Sequence, residues 1–162
     1  MKTLTPKQAE ALVESEDVLC LTDITSISVD VAAILAKVKR HLSLGITSLS
    51  AEAARELAHF QGWHLSLCNL SELSADAAAA LATYNEHLSV CLLELDSATA
   101  KELAAHRRSS LSLAVRELSR HAAAELKAFE GWLSLRVASL STEAADCLRF
   151  CRSHLTIELT DL

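Results

Sequence analysis

Three histidines recur at one interval. His41, His64 and His87 lie 23 residues apart, and two places after each comes a serine: Ser43, Ser66 and Ser89. Two places further on stand Gly45, Cys68 and Cys91. Imidazole and thiolate are ligands for zinc and copper, and a row of imidazoles titrates near physiological pH. Neighbouring rings raise each other's cost of protonation, so a partner held by the neutral row would be released below about pH 6. Evenly spaced rows on a flat surface converge badly on the tetrahedral ligand set of zinc. The expectation is therefore that each ring covers the surface and bonds a neighbouring serine, with no metal and no cofactor. A metal-binding or pH-sensing module built on His41, His64 and His87 is the alternative.

Other chemistry is thinner. Glu56-x-x-His59 and His121-x-x-x-Glu125 put carboxylate and imidazole on one helix face, but a di-iron centre needs two such helices facing each other. Serines and histidines are numerous because the pattern repeats, so a Ser-His-Asp assignment discriminates nothing. There is no glycine-rich phosphate loop and no H-E-x-x-H. No convergent catalytic set emerges, and the chain is not expected to be an enzyme. The five cysteines include no C-x-x-C and leave one unpaired. Reduced thiols and a cytoplasmic setting follow as expectations, with Cys147 and Cys151 buried or idle. Lys37-Lys39-Arg40 and Arg107-Arg108 read as solvated helix ends, favoured by the negative end of the helix dipole.

The elements that must position these residues show in the apolar pattern. L-x-L pairs recur at Leu19/Leu21, Leu42/Leu44, Leu65/Leu67, Leu88/Val90, Leu111/Leu113, Leu133/Leu135 and Leu155/Ile157, spaced by 23, 23, 23, 23, 22 and 22 residues. A further apolar residue follows each pair (Ile24, Ile46, Leu70, Leu93, Val115, Val137, Leu159), then another one before a Ser or Asp. Alternation in L-x-L is that of a half-buried strand. From the Ser onward the apolar spacing is helical, as in Ala53, Ala54 and Leu57. Thr5-Pro6 with Gln8 offers a capping box and a proline at the first helical position. Ser50, Ser74 and Ser141 are N-cap hydroxyls, and Gly62 and Gly131 are read as left-handed helix stops.

A strand and a helix of about three turns within one such period can return the chain only to the next parallel strand. The fold class that follows is a right-handed α/β solenoid, with a parallel sheet on the concave face and helices on the convex face. Strands repeat at about 4.8 Å but helices need about 10 Å, so the helix layer must be thin. Alanines such as Ala54, Ala78, Ala123 and Ala145 make it so. The whole chain, 1–162, reads as one repeat domain: a helical half-repeat over 1–18, six repeats over 19–154 and a truncated repeat over 155–162. Leu155, Ile157, Leu159 and Leu162 would sit on an open edge, covered by more chain, by packing or by a second copy.

These units resemble a leucine-rich repeat of the short bacterial kind, which reads approximately L-x-L-x-x-L-T-S-L-S-x-E-A-A-x-x-L-A. Residues 44–58, LGITSLSAEAARELA, and 135–148, LRVASLSTEAADCL, carry the likeness, which extends over nearly the whole chain. The asparagine that normally follows L-x-L in that family is absent, Asn69 apart, so the backbone of that turn must be satisfied differently. The resemblance implies a protein-binding scaffold.

If the leucines of each pair point inward, the residues beside them point out. The displayed set is His41, Ser43 and Gly45; His64, Ser66 and Cys68; His87, Ser89 and Cys91; Ser112; Trp132, Ser134 and Arg136; and His154. Trp and Arg are the residue types that anchor protein interfaces. Trp63 reads as a cover over the helix-to-strand turn. With 51% apolar residues but only 4% aromatic, and a net charge of −6, a nucleic-acid or anionic-membrane partner is not expected. No run approaches the roughly 18 residues of a membrane span. The expected function is a scaffold that holds an unidentified protein partner on the concave face.

Overall fold

The computed structural model describes residues 2–15, 18–106 and 110–160. Arg107, Arg108 and Leu162 lie outside them. The chain alternates α1 (Pro6–Ser15), β1 (Val18–Leu21), α2 (Val29–Leu35), β2 (His41–Leu44), α3 (Ala51–Leu57), β3 (His64–Leu70), α4 (Ala75–Leu81), β4 (His87–Glu94), α5 (Ser97–Ala104), β5 (Ser110–Leu118), α6 (Arg120–Leu126), β6 (Trp132–Leu140), α7 (Thr142–Leu148) and β7 (His154–Leu159). All seven strands form one open parallel sheet in sequence order, β1 to β7. This is the α/β solenoid arrangement expected from the period.

Register follows the repeat residue by residue. Leu42 pairs with Leu65, Leu65 with Leu88, Leu88 with Leu111 and Leu111 with Leu133. Those leucines are buried against Ala53, Ala54, Ala77, Ala78, Ala122 and Ala123 from the helices, where a methyl is all that the thin layer admits. The capping signals are realised. Thr5 and Gln8 bond reciprocally, and Ser28, Ser50, Ser74, Ser119 and Ser141 each accept the N–H three residues on. Asp96 does the same at α5.

Five details depart from expectation. Most helices run only seven residues, about two turns rather than three, because the chain must also cover the distance back to the next strand. Gly62 and Gly131 do not stop helices. The C-caps are the right-handed Ala58 and Lys127, and Gly62 is needed instead because a Cβ there would come within 2.6 Å of the Arg40 carbonyl oxygen. Leu93 is exposed, and Leu92 fills the inward place. The pairing shifts between Leu67 and Leu70, so that Cys68 and Asn69 oppose Cys91 alone, a bulge of two residues against one. Ala145 is exposed on the last coil, whereas Ala54 is sealed.

The turn without an asparagine ladder is closed by hydroxyls. The carbonyl of Thr25 accepts both the N–H and the Oγ1 of Thr47, and the carbonyl of Thr47 accepts both the N–H and the Oγ of Ser71. Strands β5 and β6, nine residues each, run through the equivalent place, and sheet pairing satisfies it there. A second ladder was missed in the sequence. Three places after each helix leucine stand Val38, Phe60, Tyr84, His106, Phe129 and Cys151, each N–H donating back to that leucine's carbonyl. Phe60, Tyr84, His106 and Phe129 form a ring file with successive centroids 5.8, 6.5 and 6.4 Å apart. The Tyr84 hydroxyl donates to the Gly62 carbonyl at 2.9 Å.

Candidate functional site

The helices cover one face of the sheet. The other face is open, and the strands set its side chains in rows because equivalent residues pair directly: His41 with His64, His64 with His87, Ser43 with Ser66, and Ser66 with Ser89. The imidazole row forms as expected. The His41 and His64 rings stack at 4.6 Å and 10°, and His64 and His87 sit at 4.4 Å, tilted by 47°. At the far end Ser110 pairs with Trp132 and Trp132 with His154, and the last two rings stack at 4.5 Å.

His64 and His87 each reach one strand onward to a serine. His64 Nε2 lies 3.0 Å from Ser89 Oγ and His87 Nε2 lies 3.1 Å from Ser112 Oγ. Ser89 Oγ also lies 3.2 Å from His87 Nε2, so Ser89 and Ser112 share the one Nε2 of His87. His41 breaks the pattern. Its Nε2 is buried without a partner, because the corresponding serine, Ser66, turns instead to Cys68 Sγ at 3.2 Å.

Burial, then the charges of His87 and His41, lowers the pKa of His64 to about 4. His87 is lowered by burial as well. His64 therefore takes up its proton near pH 4 and not near 6, and above that the centre of the row is uncharged. Among the described residues no three His, Cys, Asp or Glu side chains are placed to hold a metal. Glu56 with His59 and His121 with Glu125 form no ion pair.

Most of the displayed residues are where the alternation put them. Ser66, Ser89, Ser112 and Ser134 are partly accessible, and Trp132 is 64% exposed. Two are not available. Ser43, which shares the outward register, retains only 6% of its surface, being held against Cys68 Sγ at 3.2 Å. Gly45 is buried because the chain passes so close that a Cβ would stand 2.0 Å from the Thr22 oxygen. Trp63 is 57% exposed and packs on His41 and His64, at 6.4 and 5.7 Å; it flanks the imidazole row and does not join it. Lys37, Lys39 and Arg40 are exposed just past α2, as their charge predicts.

At the carboxyl ends of the strands the open face deepens into a trough of about 770 Å³, with Gly45, Cys68, Leu93, Ala114, Arg116 and Arg136 among its lining. Arg136 pairs with Glu158 at 3.3 Å. Burial, then the neighbouring Cys68, pushes the Cys91 thiol up, and Arg136 opposes this. Sequence reasoning found Cys68, Cys91 and Arg136 but missed Arg116 and the trough itself. Small residues at the third outward position, Gly45 and Ala114 among them, were the available signal. No protein-family model matches this chain, and no curated protein matches it.

Proposed function

We propose that this chain is a non-enzymatic protein–protein interaction module of the leucine-rich-repeat kind, a cytoplasmic scaffold that binds a partner protein on the open face of its sheet. The carrying observation is the exposed Trp132, stacked on His154 and followed four residues along the same strand by Arg136, which pairs with Glu158. An aromatic ring and a guanidinium beside a flat row of small hydroxyls are the makings of an interface hot spot with a hydrogen-bonding surround. The uncharged His64 and His87 suit a surface that must be desolvated without a charge penalty.

The test is capture of partners from the native lysate by the wild-type chain, by Ser66→Glu and Trp132→Ala on the open face, and by Thr83→Glu on the helix side. The same partners should be lost with both open-face changes and kept with Thr83→Glu. Loss with Thr83→Glu alone overturns the reading. The exposed Ile157 and Leu159 on β7 support a separate proposal, self-association through that edge; light scattering showing a monomer at high concentration removes it.

A further inference from the structure

Two thiols stand at the bulge in β3, and the interaction reading requires neither. Cys68 and Cys91 lie on neighbouring parallel strands, immediately after the pair Leu67 and Val90, and both line the trough. Cys68 Sγ is held from two sides, by Ser43 Oγ and Ser66 Oγ, each at 3.2 Å. Two hydroxyls at that distance can each donate to the sulfur once a metal has displaced its proton. The cost is visible in the orphaned His41 Nε2.

We propose that Cys68 and Cys91 form a two-thiolate site for a soft monovalent metal ion, Cu(I). The bulge argues for this chemistry over a disulfide. Cys68 and Asn69 together oppose Cys91, so no register pairs the two thiols directly, whereas two metal–thiolate bonds of roughly 2.3 Å laid end to end reach across about 4.6 Å. A disulfide needs its Cβ atoms drawn in to about 3.8 Å and its sulfurs to about 2.05 Å, and both thiols are free. Ligand number selects it over zinc, which takes four ligands where this site offers two sulfurs; thiolate softness favours Cu(I). Binding releases two protons to solvent and leaves a bis-thiolate complex of charge −1. Arg136, in the same trough, offsets that charge. No electron is transferred, because the metal enters already in the cuprous state.

The full chain, reduced and anaerobic, is titrated with Cu(I) against a chromophoric chelator. One ion per chain is expected, with X-ray absorption showing two sulfur neighbours only. The variant Cys20→Ser/Cys147→Ser/Cys151→Ser keeps that affinity. Cys68→Ser and Cys91→Ser each lose more than about 100-fold, and Ser43→Ala/Ser66→Ala loses about 10–100-fold, the range for a supporting hydrogen bond. In the unmodified chain, Cu(I) shields Cys68 and Cys91 from alkylation while the exposed Cys20 still reacts, a readout that needs no variant to fold. Affinity unchanged in Cys68→Ser/Cys91→Ser, nitrogen neighbours at the metal, or equal alkylation with and without Cu(I) overturns the proposal.

Discussion

The third coil and the last are written in nearly the same letters and meet different physical fates. In the third, HLSL of β3 buries Leu65 and Leu67 completely between the strands on either side. In the last, HLTI of β7 pairs only with β6 among the described residues, and leaves Ile157 at 38% and Leu159 at 71% exposed. The alanines repeat the contrast, since Ala54 is sealed and Ala145 is not. A coil of this kind therefore has no core of its own. Its apolar residues are buried by its neighbours, and stability resides in the stacking between units.

That difference can be broken first at the leucines. Leu67→Ala removes a side chain surrounded on all sides and should cost about 2–5 kcal/mol, whereas Leu159→Ala should stay within about 0.5 kcal/mol. Denaturant midpoints of the two variants decide, and equal losses would mean that the last coil is covered in solution. The helix layer gives the next effect. Ala54→Leu overpacks a filled space and should cost about 1–3 kcal/mol; Ala145→Leu has open space before it and should change stability by no more than about 0.5 kcal/mol. A destabilised Ala145→Leu would point to a neighbour packed against α7.

The same contrast explains what could be read from the sequence. Period, strand register, helix starts and inward leucines were all legible, because each is stated by local spacing and repeated often enough to outvote exceptions. The failures fall where two coils meet. Leu92 is the exception, since it continues the alternation of Leu88 and Val90 and pairs with Val115; the apolar Leu93 beside it hid that. Gly45 reads as a small displayed residue until the Thr22 carbonyl is placed against it, and the glycine at 62 serves an approach from Arg40, a coil away. On the open face the histidine row was legible through its period. That Ser66 would serve Cys68 and leave His41 unpaired was not, because it turns on side-chain competition between neighbouring strands.

Interactions confined to one coil should not care where the coil sits, and this sharpens the comparison from the other side. Ser50 and Ser141 both accept an N–H at 3.2 Å, one capping α3 in the middle and the other α7 at the end. Ser50→Ala and Ser141→Ala should each cost about 1 kcal/mol. A negligible cost at Ser141 alone would show that α7 is not held as α3 is.

A last effect is one of pH, and it belongs to the middle of the row. His64 has rings on both sides, and its pKa falls from the ordinary 6.5 to about 4 through burial and the charges of His87 and His41. Between those values the unfolded chain binds more protons than the folded one, so stability rises with pH. The contribution is complete above about 6.5 and is lost as pH falls toward 4. His64→Gln removes the titrating group while keeping a side chain able to reach Ser89. The melting temperature of the wild-type chain should therefore drop more between pH 7 and pH 4.5 than that of His64→Gln, though acid titration of carboxylates lowers both. Parallel curves for the two proteins would mean that the central ring is more open to water than its stacking on His41 implies, and that the neutral face invoked for partner binding does not persist below pH 6.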